Sequence, residues 1–197
     1  MNLSIIILAA GNSSRLGQPK QLIEYQGESL IRRITALALS VTSDVKVVLG
    51  ANADIIRENL QSFASNIQIV DNPNWQQGMG TSIQKGVASM TGKEDATLIL
   101  LSDQPFVNFN LLQEILQTFA ENSPQIVACD YGNQIGVPML FDKVVFHQLL
   151  QLKGDKGARS FLKEFQGKIA TVPFPEGMFD IDTPNDLNEL RKIEDRT

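Results

Sequence analysis

Apolar and polar positions alternate along this chain with two different periods. Leu3 to Leu8 is a short continuous apolar run with three Ile, too short for a helix and β-branched, which predicts a buried parallel strand. From Ser29 to Ala38 the period lengthens: Leu30, Ile31, Ile34, Leu37 and Ala38 share one helical face. The same exchange repeats. Val45–Leu49, Ile67–Val70, Thr97–Leu101 and Gln125–Cys129 read as strands. Ala53–Phe63 reads as a helix with Ile55, Ile56, Leu60 and Phe63 inward, and Thr81–Met90 and Asn108–Ala120 read as helices. Beyond Tyr131 the pattern loosens: strands at Pro138–Phe141 and Ile169–Val172, helices at Lys143–Leu152, Gly157–Phe165 and Pro184–Ile193. Pro184 suits a first helical turn, where its missing N–H is not needed. Strands alternating with helices predict an α/β fold with a mostly parallel sheet. With 197 residues and no repeat or linker, one domain is expected.

Composition narrows the function classes. There are 17 Lys and Arg against 22 Asp and Glu, so a broad basic surface for nucleic acid is not expected. The single Cys129 excludes an internal disulfide and a multi-cysteine metal site. Ile5–Ala10 is six apolar residues, against roughly 20 for a membrane span, and no basic stretch precedes it as in a secretory signal. A cytoplasmic location without membrane contact is the expectation.

In an open parallel sheet ligands bind beyond the carboxyl ends of the strands. Four clusters sit there: Ala9–Lys20, Asp71–Ser82 with Gly78 and Gly80, Asp103, and Asp180-Ile181-Asp182-Thr183-Pro184. The first suits a polyphosphate. Small residues let backbone N–H groups approach phosphate oxygens. Arg15 adds a planar fork of donors and Lys20 a mobile point charge. It is not a Walker A loop, since positions 16 and 17 hold Leu16 and Gly17, nor a dinucleotide fingerprint, since Ser13 stands where a second Gly belongs. The segment from Gly78 also fails that fingerprint at Ile83. Asp103, before Pro105, can hold Mg²⁺ against a phosphate or cap the next helix. Asp182 before Thr183-Pro184 carries the same two readings. His147 reads as a structural or surface residue, Cys129 as core, and Glu94 and Asp95 as a solvated turn. Trp75 can stack on a base or pack over its loop.

Leu8-Ala9-Ala10-Gly11-x-Ser13-Ser14-Arg15-x-Gly17-x-Pro19-Lys20 resembles the signature of the MobA-like nucleotidyltransferases. Four further stretches resemble the molybdenum cofactor cytidylyltransferase branch. They are Asn72-Pro73-x-Trp75-x-x-Gly78-x-x-x-Ser82, Ser102-Asp103-Gln104-Pro105, Gly154-Asp155-Lys156-Gly157-Ala158-Arg159 and Asp180-Ile181-Asp182-Thr183-Pro184-x-Asp186. Leu-Ala-Ala-Gly, with Ala10, is typical of that branch, where the guanylyl branch usually has Leu-Ala-Gly-Gly. Position 16 is Leu where Met is common, and position 137 is Val where many relatives carry His.

The resemblance implies a Rossmann-like, three-layer nucleotidyltransferase fold of the nucleotide-diphospho-sugar transferase type, with residues 1–105 binding nucleotide and 106–197 the acceptor. It implies transfer of CMP from CTP to the terminal phosphate of molybdopterin, with release of pyrophosphate. The product would serve a molybdoenzyme of the xanthine dehydrogenase type. Leu8, Ala9, Ala10, Gly11, Ser13, Ser14, Arg15, Gly17, Lys20, Gly78, Ser82 and Asp103 fall at nucleotide-binding positions, with Ser82 toward the base. Arg15, Lys20, Asp103 and Asp182 fall at catalytic ones. Asp103 and Asp182 would hold Mg²⁺, or Mn²⁺ with the same oxygen preference. Gly154, Asp155, Lys156, Gly157, Arg159 and Asp180 would face the acceptor. Guanylyl or sugar-phosphate transfer, and a non-catalytic cofactor-delivery chaperone, are the competing readings.

Overall fold

A computed structural model describes residues 1–154 and 158–195, apart from the side chains at 159, 160 and 164. The first strand, β1 (Leu3–Ala9), is buried along its whole length. Its alternate side chains enter two different cores, as the two-residue period of a strand requires. Ile5 and Ile7 meet one layer, and Ile6 and Leu8 the other. After β1 come a short hairpin, β2 (Glu24–Tyr25) and β3 (Glu28–Ser29), and helix α1 (Leu30–Leu39). Then follow β4 (Val45–Leu49), α2 (Ala53–Asn59), β5 (Ile67–Asp71), α3 (Met79–Ala88), β6 (Ala96–Leu101) and α4 (Phe109–Asn122). The remainder is β7 (Ile126–Asp130), β8 (Ile135–Asp142), α5 (Phe146–Leu149), α6 (Ala158–Glu164), β9 (Ile169–Pro173) and α7 (Pro184–Glu194).

Seven strands form one sheet in the order β5-β4-β1-β6-β8-β7-β9. β1 pairs in parallel with both β4 and β6, and β8 alone runs antiparallel to its neighbours. The expected mostly parallel α/β sheet is therefore what the chain forms. Helices α1, α2 and α4 cover one face through Ile31, Ile34, Ile56, Leu112 and Ile115. Helices α3, α5 and α6 cover the other through Ile83, Val87, Leu149, Phe161 and Leu162. Strand order reverses between β1 and β6, and a crevice opens at the carboxyl ends of strands at such a point.

Local differences from the sequence expectation have physical causes. The helix expected over 53–63 stops at Asn59 and continues as a 3₁₀ turn, Gln61–Phe63, and Ile55 faces solvent rather than the core. The helix expected over 143–152 is instead a 3₁₀ turn, Lys143–Val145, whose N-cap Asp142 accepts from the Val144 N–H at 2.9 Å, followed by the single-turn α5. The β2–β3 hairpin was not expected, since two-residue strands carry no readable period. Glu94 does not lie in a solvated turn but is buried. Burial alone would raise its carboxyl, yet hydrogen bonds from the Thr91 N–H (2.8 Å) and hydroxyl (3.1 Å), with the buried Lys46 ammonium nearby, hold it below the usual range. No helix among the described residues is long and apolar enough to cross a membrane.

A third, small apolar cluster positions the site. Leu16 from the loop after β1 packs with Ile23, Tyr25 and Leu30, and with Ile181, Leu187 and Leu190 from the far end of the chain. Each such side chain contributes roughly 1.5–3 kcal/mol on burial. The cluster therefore ties the first loop to the segment before α7.

Candidate active site

The loop after β1 is shaped by its own backbone. Ser13 takes a left-handed conformation (φ 53°), and its carbonyl accepts from the N–H groups of Leu16 (3.0 Å) and Gly17 (3.3 Å). Its hydroxyl accepts from the Lys20 N–H at 3.0 Å. Gln21, 1% exposed, clamps the base of the loop by donating to the carbonyls of Ala9 (3.0 Å) and Gly11 (2.9 Å). The backbone N–H groups of Gly11, Asn12, Ser13 and Arg15 donate to no acceptor among the described residues. Such a set of free donors is an anion cradle.

Two cations of that loop meet two carboxylates from distant segments of the chain. The Lys20 ammonium donates to Asp103, which lies just past the end of β6, and to Asp182 Oδ1 at 3.2 Å. Arg15 donates to Asp182 Oδ2 at 2.6 Å. Burial alone would lower the Lys20 ammonium, but the facing Asp103 and Asp182 carboxylates outweigh it and hold it above the usual lysine range. Asp180 stands at the rim. Partial desolvation, and then repulsion from Asp103, Asp182 and Asp186, push it up to about 6 despite the opposing pull of Lys20.

Two cavities flank this cluster and share Gly11 and Lys20. One, of about 230 Å³, is lined by residues including Leu8, Ala10, Trp75, Gly78, Ser82 and Asp103. The other, of about 170 Å³, is lined by Gly11 to Arg15, Lys20, Ile181 and Asp182. The first has the apolar walls and aromatic edge that suit a base, and the second the free N–H groups and cations that suit phosphates. Trp75 also packs: a Cβ on Gly50 would lie 2.6 Å from Trp75 Cβ and 2.8 Å from Ala10 Cβ.

Neither helix-cap reading of the aspartates holds. Asn108 caps α4 by accepting from the Leu111 N–H. Thr183 and Asp186 form a reciprocal capping box on α7, which leaves Asp182 to the cations. As for a divalent ion, Asp103 and Asp182 both reach one ammonium nitrogen, so the two carboxylates converge on one point. Mg²⁺ is commonly held by one or two carboxylates plus substrate phosphates, and this pair fits that need. No group of three or more His, Cys, Asp or Glu among the described residues makes a cage independent of substrate.

Other expected residues are placed as follows. Ser13, Ser14 and Arg15 line the phosphate-side cavity, while Ala9 contributes only its carbonyl to Gln21, and Gly17 shapes the turn at φ 77°. The Gly154 carbonyl accepts from the Gly80 N–H at 3.1 Å, which brings this loop to the first turn of α3. Asp155, Lys156, Gly157 and the Arg159 side chain lie outside the described residues. His147 is exposed and Cys129 fully buried, both as expected. Gln21 and Asn72 were missed as functional candidates. Asn72 lay inside a quoted motif, but only its contacts reveal a role, and Gln21 had no signal beyond following Lys20.

Comparison with known proteins bears on this geometry. Residues 5–169 match the family described as the MobA-like NTP transferase domain. The chain is 31% identical over 171 residues to nicotine blue oxidoreductase of Paenarthrobacter nicotinovorans, covering 81% of this chain and 80% of that protein. It is 27% identical over 185 residues to molybdenum cofactor cytidylyltransferase of Escherichia coli K12, covering 94% and 93%. Its fold is similar to the crystal structure of Rv0371c from Mycobacterium tuberculosis, with a TM-score of 0.83, 25% identity and 98% of each chain covered. That protein is also known in complex with manganese.

Proposed function

Because the chain belongs to the MobA-like NTP transferase family, we propose that it transfers CMP from CTP to the terminal phosphate of molybdopterin, forming molybdopterin cytosine dinucleotide and pyrophosphate. The observation that carries this reading is the convergence of Lys20, Asp103 and Asp182 between a base-sized cavity and a phosphate cradle. Ala10 and Ser82 on the base side, and the similarity to a cytidylyltransferase over nearly the whole chain, support cytosine over other bases.

A phosphate oxygen of the acceptor attacks the α-phosphorus of CTP in line. A new P–O bond forms, the α–β bridging bond breaks, and pyrophosphate leaves. The acceptor is a phosphate monoester, largely ionised at pH 7, so no general base is needed. Catalysis is then positioning and charge stabilisation. The free N–H groups from Gly11 to Arg15 hold the β- and γ-phosphates. Lys20 and Arg15 neutralise charge on the α-phosphate and on the leaving group. Asp103 and Asp182 are the residues that would hold Mg²⁺ or Mn²⁺, which when bound withdraws charge from the phosphate oxygens. Gly154 and Asp180 would face the acceptor, and the product would pass to a hydroxylase of the xanthine dehydrogenase type.

The test is pyrophosphate release by the purified protein with molybdopterin and, in turn, CTP, GTP, ATP and UTP, with and without Mg²⁺. The proposal expects turnover with CTP that needs Mg²⁺, and a pterin product heavier by one CMP. Preference for GTP would move the protein to guanylyl transfer. Nucleotide and pterin binding without turnover would leave the delivery chaperone.

A further inference from the structure

Asn72 sits just past the end of β5, 1% exposed, behind the base-side cavity. Its Oδ1 accepts from the Asn74 N–H at 3.0 Å. That contact fixes which way round the side-chain amide lies. The amide nitrogen must then donate its two hydrogens to Thr81 Oγ1 at 2.9 Å and to Ser82 Oγ at 3.0 Å. The Thr81 hydroxyl disposes of its own hydrogen on the Gly78 carbonyl at 2.8 Å. The Ser82 hydroxyl has no such outlet: it accepts from Asn72, and its hydrogen meets no acceptor among the described residues. Ser82 is 4% exposed and lines the base-side cavity. A hydroxyl can both donate and accept, and here the accepting role is taken by the protein.

We propose that Asn72 is a positioning residue for base selection: it holds Ser82 as a hydrogen-bond donor, so the cavity takes a nucleobase that presents an acceptor at that point. This rests on the nucleotidyl-transfer reading above and deepens it. Cytosine meets the demand along its O2 and N3 edge, with its 4-amino group turned away from Ser82. A buried donor left without a partner is costly, so a base offering N–H there is rejected.

The test inverts the polarity without changing the shape. In Asn72→Asp the carboxylate accepts from the Asn74 N–H and from the Thr81 and Ser82 hydroxyls, and Ser82 then turns lone pairs toward the base. The expected result is a rise of at least about tenfold in KM for CTP, the worth of one such hydrogen bond, with kcat changed much less. Ser82→Ala should raise KM similarly, and Asn72→Asp added to Ser82→Ala should have no further effect. Thr81→Val removes the structural half of the network and should lower the melting temperature while leaving KM within threefold. Additive effects of Asn72→Asp and Ser82→Ala would overturn the proposal. So would an equal rise in KM for Thr81→Val, which would make the network structural only. If the wild-type protein prefers another nucleotide, the cytidylyl reading falls, and the same cycle run with that nucleotide still decides the role of Asn72.

Discussion

Replacing Lys20 by Met removes one ammonium from between two carboxylates, and the consequence can be worked from the contacts. The Lys20 and Asp103 side chains are 18% and 9% exposed, while Asp182 is 36% exposed. Unit charges ~4 Å apart at an effective dielectric near 20 attract by about 4 kcal/mol, and breaking a buried pair typically costs ~3–5 kcal/mol. Asp182 is partly screened by water and keeps Arg15, so its share is discounted and Asp103 carries most of the effect. A loss of about 2–3 kcal/mol at pH 7 is expected, or roughly 5–10 °C in melting temperature for a chain of this size. The sign with pH is definite. The Lys20 ammonium is held above its usual range, so its contribution is fully present below the unfolded lysine pKa and is lost as pH rises through the folded one. The deficit of the variant should therefore persist across neutral pH and close only in the alkaline range. On the proposed metal reading, a divalent cation at Asp103 and Asp182 would replace the missing charge, so Mg²⁺ or Mn²⁺ should restore stability more in the variant than in the wild type. Scanning calorimetry at pH 7 with EDTA or Mg²⁺, and denaturant curves at alkaline pH, read all of this, and turnover should fall at least ~10²-fold. A melting temperature at pH 7 and EDTA equal to wild type would refute the electrostatic account. Turnover within tenfold would refute the catalytic one.

Asp103→Ala should lower kcat at least ~10²-fold, whereas Asp182→Ala should lower turnover with little loss of stability, since its Arg15 partner is 73% exposed; steady-state rates and melting curves compare them. The Cys129 thiol, fully buried and pushed up to about 12 first by desolvation and then by Glu114, should resist thiol reagents at pH 8 until the protein unfolds; rapid labelling of the native protein would contradict the burial. Asp186→Asn should weaken the α7 cap by ~0.5–2 kcal/mol at pH 7. Desolvation opposes ionisation there, but the Thr183 hydroxyl and the Asp182 and Thr183 N–H groups win and hold the carboxyl below its usual range. That stability is present above the unfolded pKa and lost as pH falls through the folded one, so denaturant curves for wild type and variant should converge at the acid end. A constant gap across pH would assign the loss to something other than the carboxylate.

How much of this was legible in the chain differs by element. Runs such as Ile5–Ile7 and Leu98–Leu101 are apolar on both faces, and a parallel strand covered on both sides buries such a run, so the sheet and its layers could be read directly. The loop Ala10–Lys20 was legible because its chemistry is local: small residues, a turn and two cations lie within one short segment. Boundaries were less legible where a run tightens into 3₁₀ turns, as at Gln61–Phe63 and Lys143–Val145. Glu94 was misread although its hydrogen-bond partner Thr91 stands close by in sequence, because the buried Lys46 beside it comes from β4, which no local pattern connects to it.

The sequence by itself determined the strand-and-helix alternation, the small-residue loop with its two cations, and the carboxylates available to accompany it, because each depends on neighbouring residues and their periods. Only the tertiary structure decided that Lys20 holds Asp103 and Asp182, and that Leu16 packs on Ile181 to bring those segments together. Only it decided that Asn72 leaves Ser82 one hydrogen to give. Charge pairing and hydrogen-bond direction are set by which groups meet in space, and 162 residues separate Lys20 from Asp182 along the chain.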